Sequence, residues 1–321
     1  MDNNKKVKSA LMLVATGVLW SFGGVFIKLV NWNPFAIAGS RSAIAALIML
    51  LYIRKSKIKD FLCKSKKPAG GEIADLPASS NARAFKEYLK NLTAVQILGA
   101  VFYAATVISF VAANKLTTAA NAILLQYTAP IYILIFGAWF LNEKATMVDW
   151  ISVFFTFAGM ILFFLDDLSG GNLWGNLLAI FSGVTFSVMV MLFRKQKEGS
   201  PIESAFLGNI VTAIAAIPFM FQSVPKDVGS WIGILFLGVL QLGISYILYS
   251  EAIKHVSALE ASLIPIIEPI LNPVWVFIGD GEVPGPWSIV GGIVVLVSVT
   301  GKFAYLAMKA GNSNHREISA N

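Results

Sequence analysis

Ten stretches of about twenty predominantly apolar residues follow one another along the chain, and no other feature limits its fold so tightly. They run from Ser9 to Val30, Pro34 to Ile53, Thr93 to Ala113, Thr118 to Leu141, Thr146 to Leu165, Leu173 to Phe193, Ile202 to Gln222, Trp231 to Glu251, Ser257 to Ile278 and Pro286 to Met308. A helix rises 1.5 Å per residue, so each stretch is long enough to cross a hydrocarbon core of about 30 Å. In lipid the backbone must satisfy its own polar groups, which leaves only helix bundles and closed barrels. Unbroken apolar runs decide for helices. The charged fraction agrees, because 13% lies well under the roughly 25% of soluble domains. The first run is too long for the apolar region of a signal peptide and no small-residue cleavage site follows it, so it is expected to stay as a helix.

The net charge of +7 raises nucleic acid as a partner, and the placement of the charge removes it. Basic residues sit between the apolar runs, and on one side of them. With a cytoplasmic N-terminus, the inner segments are the first eight residues, 54–92, 142–145, 194–201, 252–256 and the C-terminal end. Together they hold 21 of the 25 lysines and arginines. Lys28, Arg41, Lys115 and Lys226 are the remainder, while Asp166, Asp167, Asp280 and Glu282 lie in the outer loops. This positive-inside bias predicts a multi-pass protein of the cell membrane with both termini cytoplasmic. Segment 54–92 starts lysine-rich and continues through Pro68, Gly70, Gly71 and Pro77, which is the composition of a flexible linker. The lone Cys63 falls in it and has no partner for an intramolecular disulfide.

The chain also matches itself. At an offset of 139 residues, without gaps, Gly99, Ala113, Lys115, Ala119, Ala122, Leu124, Pro130 and Glu143 fall on Gly238, Ala252, Lys254, Ala258, Ala261, Leu263, Pro269 and Glu282. Gly17, Ser21 and Lys28 meet Gly183, Ser187 and Arg194 at an offset of 166, the difference being the longer loop of the first half. Five spans per copy is an odd number, so the second copy enters the membrane from the opposite side. The predicted fold class is therefore an all-α membrane protein of ten transmembrane helices in two inverted five-helix repeats, at 9–165 and 173–308.

The run from Ala119 to Glu143 with Pro130, and its counterpart from Ala258 to Glu282 with "LIPIIEPILNPVWVFIGDGE", resemble the drug/metabolite transporter superfamily, specifically its EamA-type members. The resemblance covers nearly the whole chain, the long loop after the second run being a departure. It implies a secondary transporter working by alternating access, taken here as an exporter, for small metabolites such as amino acids or related amphipathic compounds. It is specific for the family and poor for the substrate.

Ionisable side chains within spans are expensive and hence candidates for function. Glu268 stands near the middle of the ninth run, on one helical face with Asn272 and Trp275. Such a carboxyl can pair with a cationic group of the substrate or exchange a proton as its surroundings alternate between wet and closed, so protons are a candidate coupling ion. Gln126 and Tyr127 occupy the corresponding face of the fourth run, Ala129 being the equivalent of Glu268. Arg41, about two turns into its span, suits a substrate carboxylate or a structural ion pair. Lys28, at the outer end of the first run, reads as a snorkelling lysine. The aromatics Trp20, Tyr103, Tyr246, Tyr249 and Trp275 lie within spans, where they can pack the core or stack on a planar or cationic ligand. Pro130, Pro265 and Pro269 remove backbone donors inside two spans, making them candidate hinges.

Other classes find less support. There is no G-x-x-x-x-G-K-[ST] for ATP, and neither H-E-x-x-H nor G-x-S-x-G occurs. His255 and His315 both fall outside the middle of a span, so the sequence offers no catalytic pair, no metal site and no cofactor site. A channel, facilitator or scramblase-like protein is the alternative, ahead of an intramembrane enzyme. The expected partners are a small-molecule substrate, the lipid bilayer and protons, with no nucleic acid.

Overall fold

In the computed structural model, residues 3–64, 92–165, 172–280 and 285–318 are described. They form α1 (Asn3–Ser21), α2 (Gly23–Leu29), α3 (Pro34–Lys64), α4 (Ala94–Leu116), α5 (Ala119–Gln126), α6 (Ala129–Leu141), α7 (Met147–Phe163), α8 (Leu173–Lys195), α9 (Pro201–Met220) and α10 (Val228–Phe236). A π-helical turn (Leu237–Ile244) leads directly into α11 (Ser245–Ala252). After α12 (Ala258–Leu263), a short 3₁₀ turn (Ile264–Ile266) leads into α13 (Ile267–Asp280), and α14 (Pro286–Ile318) closes the chain. No strand occurs among the described residues.

Local sequence sets many of these boundaries. Thr93 with Gln96, Thr146 with Asp149 and Ser257 with Glu260 form reciprocal capping boxes that satisfy the first free amides of α4, α7 and α12. Asn142 ends α6 in the left-handed conformation that asparagine tolerates, with φ at 58°. Two expected boundaries move. The second apolar run does not stop at Ile53, since α3 continues through Lys64 and makes the lysine-rich start of segment 54–92, with Cys63, helical. The last helix likewise runs beyond Met308 to Ile318. No proline interrupts these polar extensions, and apolarity marks only the part of a helix that suits lipid. Residues 65–91 of the linker expected over 54–92, and the outer acids Asp166, Asp167 and Glu282, lie outside the described residues.

Among the described residues eight helices are long and apolar enough to cross a membrane, counting α1 with α2, α5 with α6, and α10 through α11 as single spans. Two further apolar segments fall short of that measure: α7 has 17 residues, and the chain from α12 to α13 is interrupted. The interruption has a plain cause. Proline carries no amide hydrogen, so neither Pro265 nor Pro269 can bond the carbonyl four residues earlier. The matching segment also breaks, between Gln126 and Ala129, just ahead of Pro130.

The core lies between the two halves of the chain. Helix α4 packs on α8 and α9, α3 on α9, α7 on α14, and α1 on α11 and α13. Close approach depends on small residues: a Cβ added at Gly183 would stand 2.8 Å from the Gln126 carbonyl oxygen, and one at Gly291 only 2.2 Å from the Phe163 amide nitrogen. Large apolar side chains cover the outside instead, Trp139 being 83% exposed. A water-facing surface would not carry such a patch, whereas lipid accepts it.

Candidate functional site

A cavity opens at the centre of the bundle, where α1, α3, α4, α5, α8, the π-helical turn and the two breaks before α6 and α13 meet. Trp20, Arg41, Gln126, Tyr127, Pro130, Tyr246, Pro265 and Glu268 line it, together with Thr106, Val107, Phe110, Ala129, Phe186, Gln241, Leu242 and Ser262. It holds about 580 Å³ of empty space including its mouth, but the centre of a water can reach only about 40 Å³ of that. At roughly 10–15 Å³ per water centre this is room for a few waters. A metabolite would need the walls to part.

Each charged group in the cavity is held by a neutral partner. Arg41 is 1% exposed and donates from Nη1 to Oε1 of Gln241 at 2.9 Å, while its Nε is buried without a hydrogen-bond partner. Glu268 is 6% exposed and faces the Tyr127 hydroxyl, 2.9 Å from its Oε2. That same hydroxyl lies 3.0 Å from the Pro265 carbonyl, the one Pro269 leaves without a helical donor. The prolines therefore do more than bend the segment, because they expose a carbonyl that fixes Tyr127 beside the carboxylate. Among the described residues the ion pairs join other groups, and none links Arg41 to Glu268.

The remaining candidates divide by position. Gln126 donates through Nε2 to Ser182 Oγ at 2.7 Å, which ties α5 to α8 at the cavity edge. Trp20 donates to Ser245 Oγ at 3.0 Å and packs at a tilt against Tyr246 and Tyr249, with ring centres 5.3 and 5.4 Å away. Tyr103 and Tyr249 are fully buried behind this wall and outside the cavity lining. Tyr103 accepts from Asn209 at 2.8 Å, and the Tyr249 hydroxyl has no partner. Trp275 is outside the cavity lining, donating to Ser21 Oγ at 2.8 Å and stacking on Phe22. The side chain of Asn272 lies outside the described residues. Lys28 donates to the Thr117 carbonyl at 2.8 Å, so it caps the end of α4. Sequence reasoning missed Gln241, although an amide in mid-span carries the same signal as Gln126.

The profile of the EamA-like transporter family matches residues 7–165 and 173–302. The chain belongs to this family.

Relatives described as uncharacterized transporters of Archaeoglobus fulgidus are 27% identical over 62% of this chain and 73% of their own length, and 23% identical over 91% and 96%. The pseudopaline exporter CntI of Pseudomonas aeruginosa is 25% identical over 56% of this chain and 64% of its own. A solved crystal structure superposes with a TM-score of 0.71 across 95% of this chain and 99% of its own at 18% identity, a likeness of fold alone. Family membership, with eight helices among the described residues long and apolar enough to cross, makes this a multi-pass membrane protein of a transporter family.

Proposed function

We propose that the protein is a secondary transporter that exports small zwitterionic metabolites, amino acids among them, by alternating access through the central cavity. The observation that carries this reading is the pair of opposite charges, Arg41 and Glu268, lining one buried cavity without an ion pair between them. A substrate carboxylate suits the first and its ammonium the second, while Trp20, Tyr246 and Phe186 offer apolar and π-rich walls. Gln126 and Tyr127 supply further polar contacts, and Tyr103 and Tyr249 support the wall from behind.

The proposed arrangement is ten crossings in two inverted five-helix repeats, at 9–165 and 173–308, with both termini cytoplasmic. Supporting it are the two stretches that the family profile matches and the breaks at equivalent points of the two halves, before Ala129 and before Glu268. On this reading α7 and the interrupted α12 to α13 segment also cross, and Pro130, Pro265 and Pro269 are the points about which the breaks flex. Export as the direction is supported by the name of the relative CntI. Glu268 is the proposed coupling group, exchanging a proton as the cavity alternates between wet and closed.

Counterflow in proteoliposomes tests the proposal. Vesicles preloaded with unlabelled amino acids should transiently accumulate the labelled compound above equilibrium, which a carrier does and a channel cannot. Simple equilibration, or no movement across a panel of amino acids, amines and organic acids, would sink it.

A further inference from the structure

The cavity holds a positive charge whose partner is a neutral amide, and the fold fixes that amide in place. Gln241 is 5% exposed and lies within the π-helical turn, where the Ser245 amide reaches back to the Leu240 carbonyl and the Ser245 hydroxyl donates to the Gln241 carbonyl. Turns of this kind widen a helix and concentrate at functional sites. On its other side the Gln241 amide meets the backbone of Gly23, where an added Cβ would stand 2.9 Å from Nε2. That approach is available because the first span breaks at Phe22 and resumes with Gly23. Held between Gly23 and α3, Gln241 can do little except present its oxygen to Arg41, 2.9 Å away.

An amide oxygen orients a guanidinium without cancelling its charge, which an aspartate or glutamate would do. Arg41 is thus held by an acceptor that brings no opposing charge, and its Nε is a buried donor without an acceptor. A buried donor left unmade is costly, and a carboxylate is the acceptor that fits the guanidinium fork. We propose that Gln241 is the residue that sets the charge selectivity of the cavity, holding Arg41 with a neutral acceptor so that its guanidinium selects substrates bearing a carboxylate. This rests on the reading of the central cavity as the substrate site. Gln241 is a positioning residue that acts through Arg41.

The test uses three probes of one shape: L-leucine, 3-methylbutylamine without the carboxylate and 4-methylpentanoate without the amine. Their binding to the purified full-length protein is measured by calorimetric titration. Parent protein should bind leucine more tightly than either fragment. Gln241→Glu should pair with Arg41 and weaken leucine and 4-methylpentanoate by about tenfold or more, leaving the amine unchanged or tighter. Gln241→Met removes the acceptor and adds no charge, so it should weaken the two carboxylates and spare the amine, and it decides the matter if the glutamate variant does not fold. The inference is overturned if both variants bind all three probes as the parent does, or if all three weaken equally, which is what a merely structural role would give. If the parent binds leucine but the variants keep its selectivity, only the role of Gln241 fails. If the parent binds none of the probes, the reading of the cavity fails and this inference with it.

Discussion

Tyr127 has one hydroxyl hydrogen and two acceptors within reach, the Glu268 carboxylate and the Pro265 carbonyl. Replacing it by phenylalanine keeps the ring and strands both acceptors in a buried site. Tyr127→Phe should therefore destabilise the protein by about 1–3 kcal/mol, read as a lower thermal midpoint in detergent. Glu268→Gln is a different experiment, since it retains the volume and can still accept from Tyr127 while removing the charge. We expect a folded protein with a thermal midpoint near that of the parent and transport of zwitterions reduced about tenfold or more, the equivalent of one charge-assisted hydrogen bond. Transport at the parent rate would make the carboxylate a structural group. The two variants separate what the Tyr127 hydroxyl does for the fold from what the Glu268 charge does for the substrate.

Where helices meet, their ends share side chains. Arg194, in the last turn of α8, donates from Nε to Glu143 at 2.7 Å and from Nη1 to the Ile253 and Lys254 carbonyls at 3.0 and 2.8 Å, after the end of α11. The other Glu143 oxygen accepts from the Ala258 amide at the start of α12. A cation at a helix C-terminus and a carboxylate at an N-terminus each answer the local helix dipole. One ion pair therefore fastens the ends of α6, α8, α11 and α12. Arg194→Ala leaves two carbonyls and one carboxylate without this donor, and an expected loss of about 1–3 kcal/mol should appear as a lower thermal midpoint. Packing along the helices is equally exacting. Gly291 lies so close to α7 that one added methyl would collide with the Phe163 amide and the Gly159 carbonyl, both backbone atoms that cannot swing aside. Gly291→Ala should push α14 away from α7 and reduce the yield of folded protein, measured by size-exclusion chromatography. A monodisperse variant with parental stability would show that this contact is not needed.

At the scale of the whole molecule, an apolar exterior surrounds a seam of polar groups between the two halves of the chain. The proposed orientation places residues 65–91 in the cytoplasm. In a Cys63→Ser background, a cysteine introduced at Ser79 should be labelled by impermeant reagents only after the cells are opened, and labelling of intact cells would overturn the topology.

The sequence alone determined the helical class, the places of the eight helices long and apolar enough to cross a membrane and the family resemblance, because these depend on apolar length, charge placement and proline spacing read along one dimension. It also marked Glu268, Arg41, Gln126 and Tyr127, since a polar group in lipid is conspicuous wherever it falls. What it could not determine is how each helix is rotated about its own axis. Successive residues of a helix point about 100° apart, so a small change of register sends a side chain into the cavity or away from it. Trp275, which helical spacing places on the face of Glu268, is turned to Ser21 by the packing of α13 on α1. Gln241 reaches Arg41 across 200 positions of chain because a π-helical turn, invisible to a pattern of apolar residues, resets the register of the span that carries it. Only the tertiary structure decides which polar groups meet, because that depends on the packing of helices distant in sequence.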